Sequence, residues 1–323
     1  MRVRFWGVRG SCPSPIGVEA LETRLATVLA ALGTSEDAPD LGDPDAVLSW
    51  IRALPPYLGR FAGGNTPCVE MRTDDDEVFI LDLGSGVRLL GNALAKGPFG
   101  VGQGRAHIFL SHLHWDHIQG WPFFRPAYIP GNEFTIYARH DEVRERLHSQ
   151  QQAPFFPPES WNEMRAAIRY EKLGDEPLVL CDGGMRVTWH ELDHPSRAWA
   201  YRFECGGKVF VYASDGAYHN LDDSSRKPFV DFYRDADLLV FDAQFTLAES
   251  YEKKTWGHSS AIVGAELACE ANVKRLALFH HDPNASDSHL EDLLGTGTQY
   301  ARSLRDDDVP QVFLAREGDE ISL

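Results

Sequence analysis

Residues 111–120 read SHLHWDHIQG, and they place His112, His114, Asp116 and His117 within six positions, directly after the apolar run HIFL. Neutral imidazoles and carboxylates are ligands for zinc and similar divalent ions. In an extended turn after a strand, alternate residues point the same way. His112 and His114 can therefore grip one ion, while Asp116 and His117, past the bend, face a second. Solvated or capping residues would not need this spacing, so the motif is a specific signal. Six positions do not complete a metal site, so further ligands must come from other strand ends. His194 in ELDHPSR, Asp215 in VYASDG and the pair His280–His281 in LFHHDP all follow apolar runs. A carboxylate at Asp215 could bridge two ions.

The elements that would position these groups can be read from hydrophobic period. MRVRFWGV alternates as a strand does. A helical pattern runs from about Val18 to Leu32, with Leu21, Leu25, Val28, Leu29 and Leu32 on one face, and a second short helix spans about Ala46 to Leu54. Two strands follow, in CVEMRT and EVFILDLGSG, then a helix near Val87 to Ala95. AHIFLSH and EFTIYAR read as strands, and residues 141–172 read as mainly helical. MRVTWHELDH, WAYRFECGG and KVFVYASDG make three successive strands. ADLLVFDAQ and KRLALFHHDP are further strands, with helices in SSAIVGAELACEANV and SDSHLEDLLGTGTQYARSL. The order predicts one α/β domain of layered sheets, with a helical insert at about 17–60 and a second at about 141–172. Polar groups at strand ends of such a fold converge on one edge.

The 323 residues carry 31 Lys and Arg against 48 Asp and Glu, a formal net charge of −17. Such a surface repels polyanions at long range. The chain has no dense basic run, so a small or singly anionic substrate fits better than a long nucleic acid. Cys12, Cys68, Cys181, Cys205 and Cys269 are odd in number, scattered, and form no CxxC pair. They read as buried free thiols in a reducing compartment. No apolar run approaches the ~18 residues of a membrane span, and the N-terminus has no signal-type apolar segment. A soluble cytoplasmic protein is the expectation.

SHLHWDHIQG resembles the HxHxDH signature of the metallo-β-lactamase fold superfamily. FWGVRGSCPSP, GGNTPCVEM, LDLGSGVRLLG, YASDGAYH, GHSSA and LFHHDP resemble, in order, segments of its branch holding ribonuclease Z and related phosphodiesterases. The likeness covers nearly the whole chain. It implies a four-layer αββα sandwich with two divalent metal ions, zinc foremost, with manganese or iron as alternatives. By resemblance, His112, His114 and His194 would hold the first ion. Asp116, His117 and His280 would hold the second, and Asp215 would bridge them. His280 is preferred to His281 because RLALFH matches the family's apolar run ending in histidine. His258 in GHSSA would protonate the leaving group or contact the phosphate; helix capping is the competing reading. Asp82 and Asp242 would orient ligand histidines from behind, with turn capping as the alternative. Asn65 and Thr66 would hydrogen-bond near the substrate.

The resemblance thus implies hydrolysis of a phosphodiester by metal-activated hydroxide, with Asp116 also orienting the nucleophile. The basic Gly/Pro-rich arm by which ribonuclease Z proteins clasp tRNA has no counterpart here. The expectation is therefore a small or cyclic phosphodiester. Phe123, Phe124, Phe155, Phe156 and Trp161 are candidates for a stacking wall, against ordinary core or dimer contact. A lactonase, thioesterase or β-lactamase on the same scaffold, an RNA-processing nuclease, and a metal-binding sensor without turnover remain as other readings. A homodimer is left open, and no membrane partner is expected.

Overall fold

The structure, a computed structural model, describes residues 1–154, 156, 163–220 and 222–323. Along the described chain the strands are β1 (Arg2–Gly7), β2 (Cys68–Arg72), β3 (Val78–Leu81), β4 (Arg105–Phe109), β5 (Glu133–Ala138), β6 (Ala167–Lys172), β7 (Leu178–Leu180), β8 (Met185–Leu192), β9 (Ala198–Cys205), β10 (Lys208–Ala213), β11 (Leu238–Asp242), β12 (Arg275–Phe279), β13 (Gln311–Leu314) and β14 (Glu320–Ser322). The helices are α1 (Val18–Thr34), α2 (Pro44–Ala53), α3 (Pro56–Gly59), α4 (Val87–Leu94), α5 (Trp115–Ile118), α6 (Val143–Ser149), α7 (Asp223–Tyr233), α8 (Leu247–Glu252), α9 (Ala261–Glu270) and α10 (Asp287–Leu304).

The strands form two sheets of seven. One runs β14-β1-β2-β3-β4-β5-β6 and the other β13-β12-β11-β10-β9-β8-β7. Each is parallel in one part, β3 to β6 and β10 to β13, and antiparallel elsewhere. Their facing sides are rich in rings, because alternate strand residues share a face. Phe5, Phe79, Phe109, Tyr201, Phe203, Phe210, Tyr212 and Phe279 fill the space between the sheets. Edge-to-face pairs such as Phe109 on Phe203, 5.1 Å between centroids, lock the two sheets together. Two further apolar clusters cover the outer faces. α4 packs on the first sheet, and α7, α9 and α10 on the second. The fold is the expected four-layer αββα sandwich.

Some expectations need correction. The segment expected to be mainly helical, 141–172, holds α6 but ends in β6, which pairs in parallel with β5 from Glu133 to Ala138. The alternating pattern of AIRYEK, completed by a sheet partner, outweighs the helical composition before it. The apolar face of α1 is not buried: Leu21, Leu25 and Leu29 are exposed. The helix is tethered instead by Arg24, which pairs with Asp287 at the start of α10 and donates to the Arg60 carbonyl. All five cysteines are free, but only Cys68 and Cys269 are buried; Cys12 is exposed. No helix among the described residues is long and apolar enough to cross a membrane.

Candidate metal centre

The charged groups gather where strands end. Asp82 follows β3, His112 and its motif follow β4, His194 follows β8, Asp215 follows β10, Asp242 closes β11 and His280 follows β12. The carboxyl ends of parallel strands thus meet at one edge of the sandwich. The N-terminal loop stitches the two sheets together there. The His281 N–H donates to the Val8 carbonyl, and the Gly10 N–H to the His281 carbonyl, each at 2.9 Å. Ser11, Asp82, Asp215 and His280 all adopt left-handed backbone, with φ of 58 to 61°. Four such non-glycine residues at one spot mark a strained, purpose-built corner.

Two ligand sets form. His112, His114 and His194 present nitrogens within 4.8 Å of one another, and so do the donor atoms of Asp116, His117, Asp215 and His280. Asp215 stands between the sets. Its Oδ1 lies 3.1 Å from His117 Nε2 and 3.2 Å from His280 Nε2, while its Oδ2 lies 3.7 Å from His112 Nε2. Asp116 Oδ2 lies 3.3 Å from His117 Nε2 and 3.2 Å from His280 Nε2. All are buried except His114, which is half-buried and marks the way in.

Whether this set fits a cation can be decided from the outward ring nitrogens. His117 Nδ1 donates to Asp82 Oδ2 at 2.7 Å, and His194 Nδ1 to the Gly257 carbonyl at 2.9 Å. His280 Nδ1 donates to Gln244 Oε1 at 3.0 Å, and His114 Nε2 to Ser196 Oγ at 2.7 Å. The Ser111 hydroxyl donates to Asp82 Oδ2 at 2.7 Å, so it accepts from His112 Nδ1 at 3.0 Å. Each outward nitrogen therefore carries the hydrogen, and each inward nitrogen keeps a lone pair. In their neutral form these five rings turn five lone pairs toward one another and toward the carboxylates of Asp116 and Asp215. His112 Nε2 is buried with no hydrogen-bond partner at all. Donors arranged in this way fit divalent cations.

The electrostatics agree. Burial opposes charge on His117, but Asp215, Asp116 and Asp82 outweigh it and hold the ring well above the usual histidine range. Burial likewise opposes charge on Asp215, yet His117, His280 and His112 hold its carboxyl well below the usual range. Burial, helped by His117, pushes His112 well down. The two carboxylates favour positive charge between them, and a divalent cation held there would supply it.

A family model described as a beta-lactamase superfamily domain matches residues 86–281, more than half of the chain. The chain belongs to that superfamily. Its relatives place it on the ribonuclease Z-like side. Ribonuclease Z from Lactiplantibacillus plantarum is 26% identical over 307 residues, covering 80% of this chain and 96% of that protein. Among solved structures, the metallo-beta-lactamase fold protein YhfI from Bacillus subtilis aligns over 99% of this chain and 98% of its own, at TM-score 0.61 and 18% identity. A diphosphatase from the PhnP family aligns over 100% and 97%, at TM-score 0.57 and 17% identity. At such identities the solved structures speak to the fold alone. The family implies divalent metal ions, which suits the donor set. The name ribonuclease sits poorly with the expectation that a long nucleic acid is not a substrate.

The remaining predicted residues divide. His258 lies beside the centre, its Nδ1 donating to Asp242 Oδ2 at 2.8 Å and standing 4.0 Å from Asp215 Oδ2. Burial opposes its charge, but Asp242, with Asp215 and Asp116 beyond, raises it above the usual range. It does not cap α9; the Ser260 hydroxyl does, by accepting from the Val263 N–H. Asp82 accepts four hydrogen bonds, from the N–H and hydroxyl of Ser111, from the Tyr212 hydroxyl and from His117. His281 turns away and donates to the Ala315 carbonyl at 2.9 Å.

Asn65 and Thr66 hydrogen-bond within their own loop region. Asn65 is held by Glu317 and Ser85, and Thr66 Oγ1 accepts from Ser85 N–H and Gln119. Their side chains are committed to pinning the loop against its neighbours. Phe124 is fully buried in the outer core, whereas Phe123 is exposed and meets Phe156 edge-on at 5.6 Å. Phe155 and Trp161 lie outside the described residues.

Sequence reasoning missed Ser111, Tyr212, Gln244, Ser11 and Gly257. Ser11 N–H donates to Asp116 Oδ2 at 2.8 Å. Gly257 has φ +80°, and a Cβ there would come within 2.3 Å of His194 Nδ1. Only glycine lets its carbonyl reach that ring. Gln244 had a faint signal, two residues beyond Asp242 at a strand end. Tyr212 had none.

Proposed function

We propose that this chain is a dinuclear metal-dependent phosphodiesterase acting on a small or cyclic phosphodiester. The observation that carries this reading is the His258–Asp242 pair standing 4.0 Å from the carboxylate that joins the two ligand sets. His112, His114 and His194 would hold one ion, Asp116, His117 and His280 the other, and Asp215 both. When bound, the ions would supply Lewis acidity, activating water and neutralising charge on the non-bridging phosphoryl oxygens. Zinc suits the His/Asp donors, which manganese and iron also accept.

The chain's own residues do the rest. Asp116 accepts from the Ser11 N–H, so its carboxylate is fixed in direction before substrate arrives. In this reading Asp116 would also orient the attacking water. Asp242 holds His258 in the tautomer that carries hydrogen on Nδ1 and favours its charged form, which leaves an acidic Nε2–H for the departing oxygen. Attack forms one P–O bond and breaks another, and the His258 proton goes to the oxygen that leaves.

An RNA substrate is the second reading, favoured by the 26% identical ribonuclease Z relative. The net charge of −17 weighs against it. The test combines metal content with turnover. Two ions per chain and hydrolysis of bis-p-nitrophenyl phosphate are expected. His258→Gln should cut turnover of a diester with an alkoxide leaving group by roughly 10²-fold or more. It should spare the p-nitrophenyl ester, whose leaving group departs unprotonated. Two ions without phosphodiester turnover, but with lactone or thioester hydrolysis, would overturn the proposal.

A further inference from the structure

Of eight tryptophans in the chain, Trp115 and Trp256 are the exposed ones among the described residues, at 69% and 57%. Both are attached to the metal centre by peptide bonds. Trp115 sits between His114 and Asp116. It opens the single turn of α5, whose Asp116 and His117 are buried, so its ring is turned outward. Among the described residues the ring has no aromatic, cationic or hydrogen-bond partner. Trp256 precedes Gly257, whose carbonyl accepts from His194, and His258 follows. Phe245 joins Trp256 to the acid group, meeting the Trp256 ring at 6.3 Å and the His258 ring at 5.7 Å. The two indoles are linked through His114 and His194, whose facing nitrogens are 3.0 Å apart.

Single exposed apolar residues are ordinary. Two exposed indoles, one next in sequence to His114 and one next to the glycine that holds His194, are a different matter in an enzyme whose charge works against its substrate. At −17 the chain repels a phosphodiester anion at long range. Ground-state affinity must then come from short-range contact, and an indole face supplies it to a planar ring irrespective of charge.

Building on the phosphodiesterase reading, we propose that Trp115 and Trp256 are specificity determinants that stack on a nucleobase next to the scissile phosphate. The preferred substrate is then a nucleotide, not a sugar or lipid phosphodiester. The base can belong to a cyclic mononucleotide or to the end of an RNA strand.

The test uses the metal-loaded protein and the variants Trp115→Ala, Trp256→Ala and Trp115→Phe. Calorimetry compares adenosine monophosphate with ribose 5-phosphate. The wild type should prefer the nucleotide by about 5–150-fold, the range base–aromatic stacking provides. Trp115→Ala should erase most of that ratio and leave ribose phosphate binding and metal content unchanged. Trp256→Ala should reduce it, and Trp115→Phe should retain most of it. An equal ratio in wild type and both alanine variants overturns the proposal, whatever the turnover. Base-dependent binding without turnover of any phosphodiester sinks the enzymatic reading and leaves the stacking platform standing. Comparing kcat/KM on adenosine 2′,3′-cyclic phosphate with that on a short oligoribonucleotide identifies the source of the base, and either preference, lost in Trp115→Ala, supports it.

Discussion

His107 and His112 stand five residues apart on β4 and its extension, and burial pushes the pKa of both rings down. Their surroundings differ completely. His107 lies within the strand, stacked on Phe79 at 5.0 Å and Tyr137 at 5.8 Å, with its Nδ1 3.2 Å from the Tyr137 hydroxyl. His112 lies past the strand end. Its outer nitrogen is held by Ser111, and its inner nitrogen is buried without a partner among three other imidazoles and Asp215. A buried histidine is thus not in itself a ligand. What makes one is a strand end that turns its lone pair toward other lone pairs and toward carboxylates.

The strongest way to break this contrast is to remove the inward lone pair. His112→Ala should lower metal content from two ions toward one per chain. It should also reduce turnover by more than the ~10–100-fold typical of losing an outer partner. Metal analysis of protein dialysed after metal loading checks it, with His107→Phe as the control that keeps both ions. A His107→Phe protein that loses metal would show that the two histidines are not separate in role.

Tyr212→Phe probes the support behind the ligands. It removes one of the four donors to Asp82, from a residue that reaches across the inter-sheet core. Metal affinity should weaken by about 10-fold, at the lower end of the range for outer partners. Competition with a chromophoric chelator measures it. Unchanged affinity would mean that Ser111 and His117 hold Asp82 without help.

The smallest effect belongs to His107 itself. An unfolded imidazole takes up a proton in the usual histidine range, whereas the folded ring resists it. Its contribution to stability is therefore complete above that range and is lost as pH falls through and below it. His107→Phe should show a smaller drop in Tm between neutral and mildly acidic pH than the wild type, at equal metal content. A drop of the same size would assign acid sensitivity to other groups.

Much of this was legible in the chain because local pattern and final position coincide. The apolar runs ending in His112, Asp215 and His280 are strands whose ends carry the candidate ligands. A strand's period-2 burial and a polar group at its end are both written in consecutive residues. The helices α9 and α10 were equally plain: α10 follows a 3.6-residue period, and α9 is an apolar, alanine-rich run buried on most sides. The errors fell where the partner is remote. β6 forms because β5 offers it an edge, and α1 leaves its leucines in water while its Arg24 reaches Asp287 at the start of α10.

By itself, then, the amino-acid sequence determined the candidate ligand types, the strand ends that present them and the layered architecture. All three follow from short-range periodicity and from the chemistry of single side chains. Only the tertiary structure decided that Asp215 lies between two ligand sets, that His280 faces the centre while His281 faces Ala315, and that Ser111, Tyr212 and Gln244 orient the site. These are relations between chain segments far apart in number, and no local pattern encodes them. They arise when burial between two sheets forces every polar group at the shared edge to find a partner.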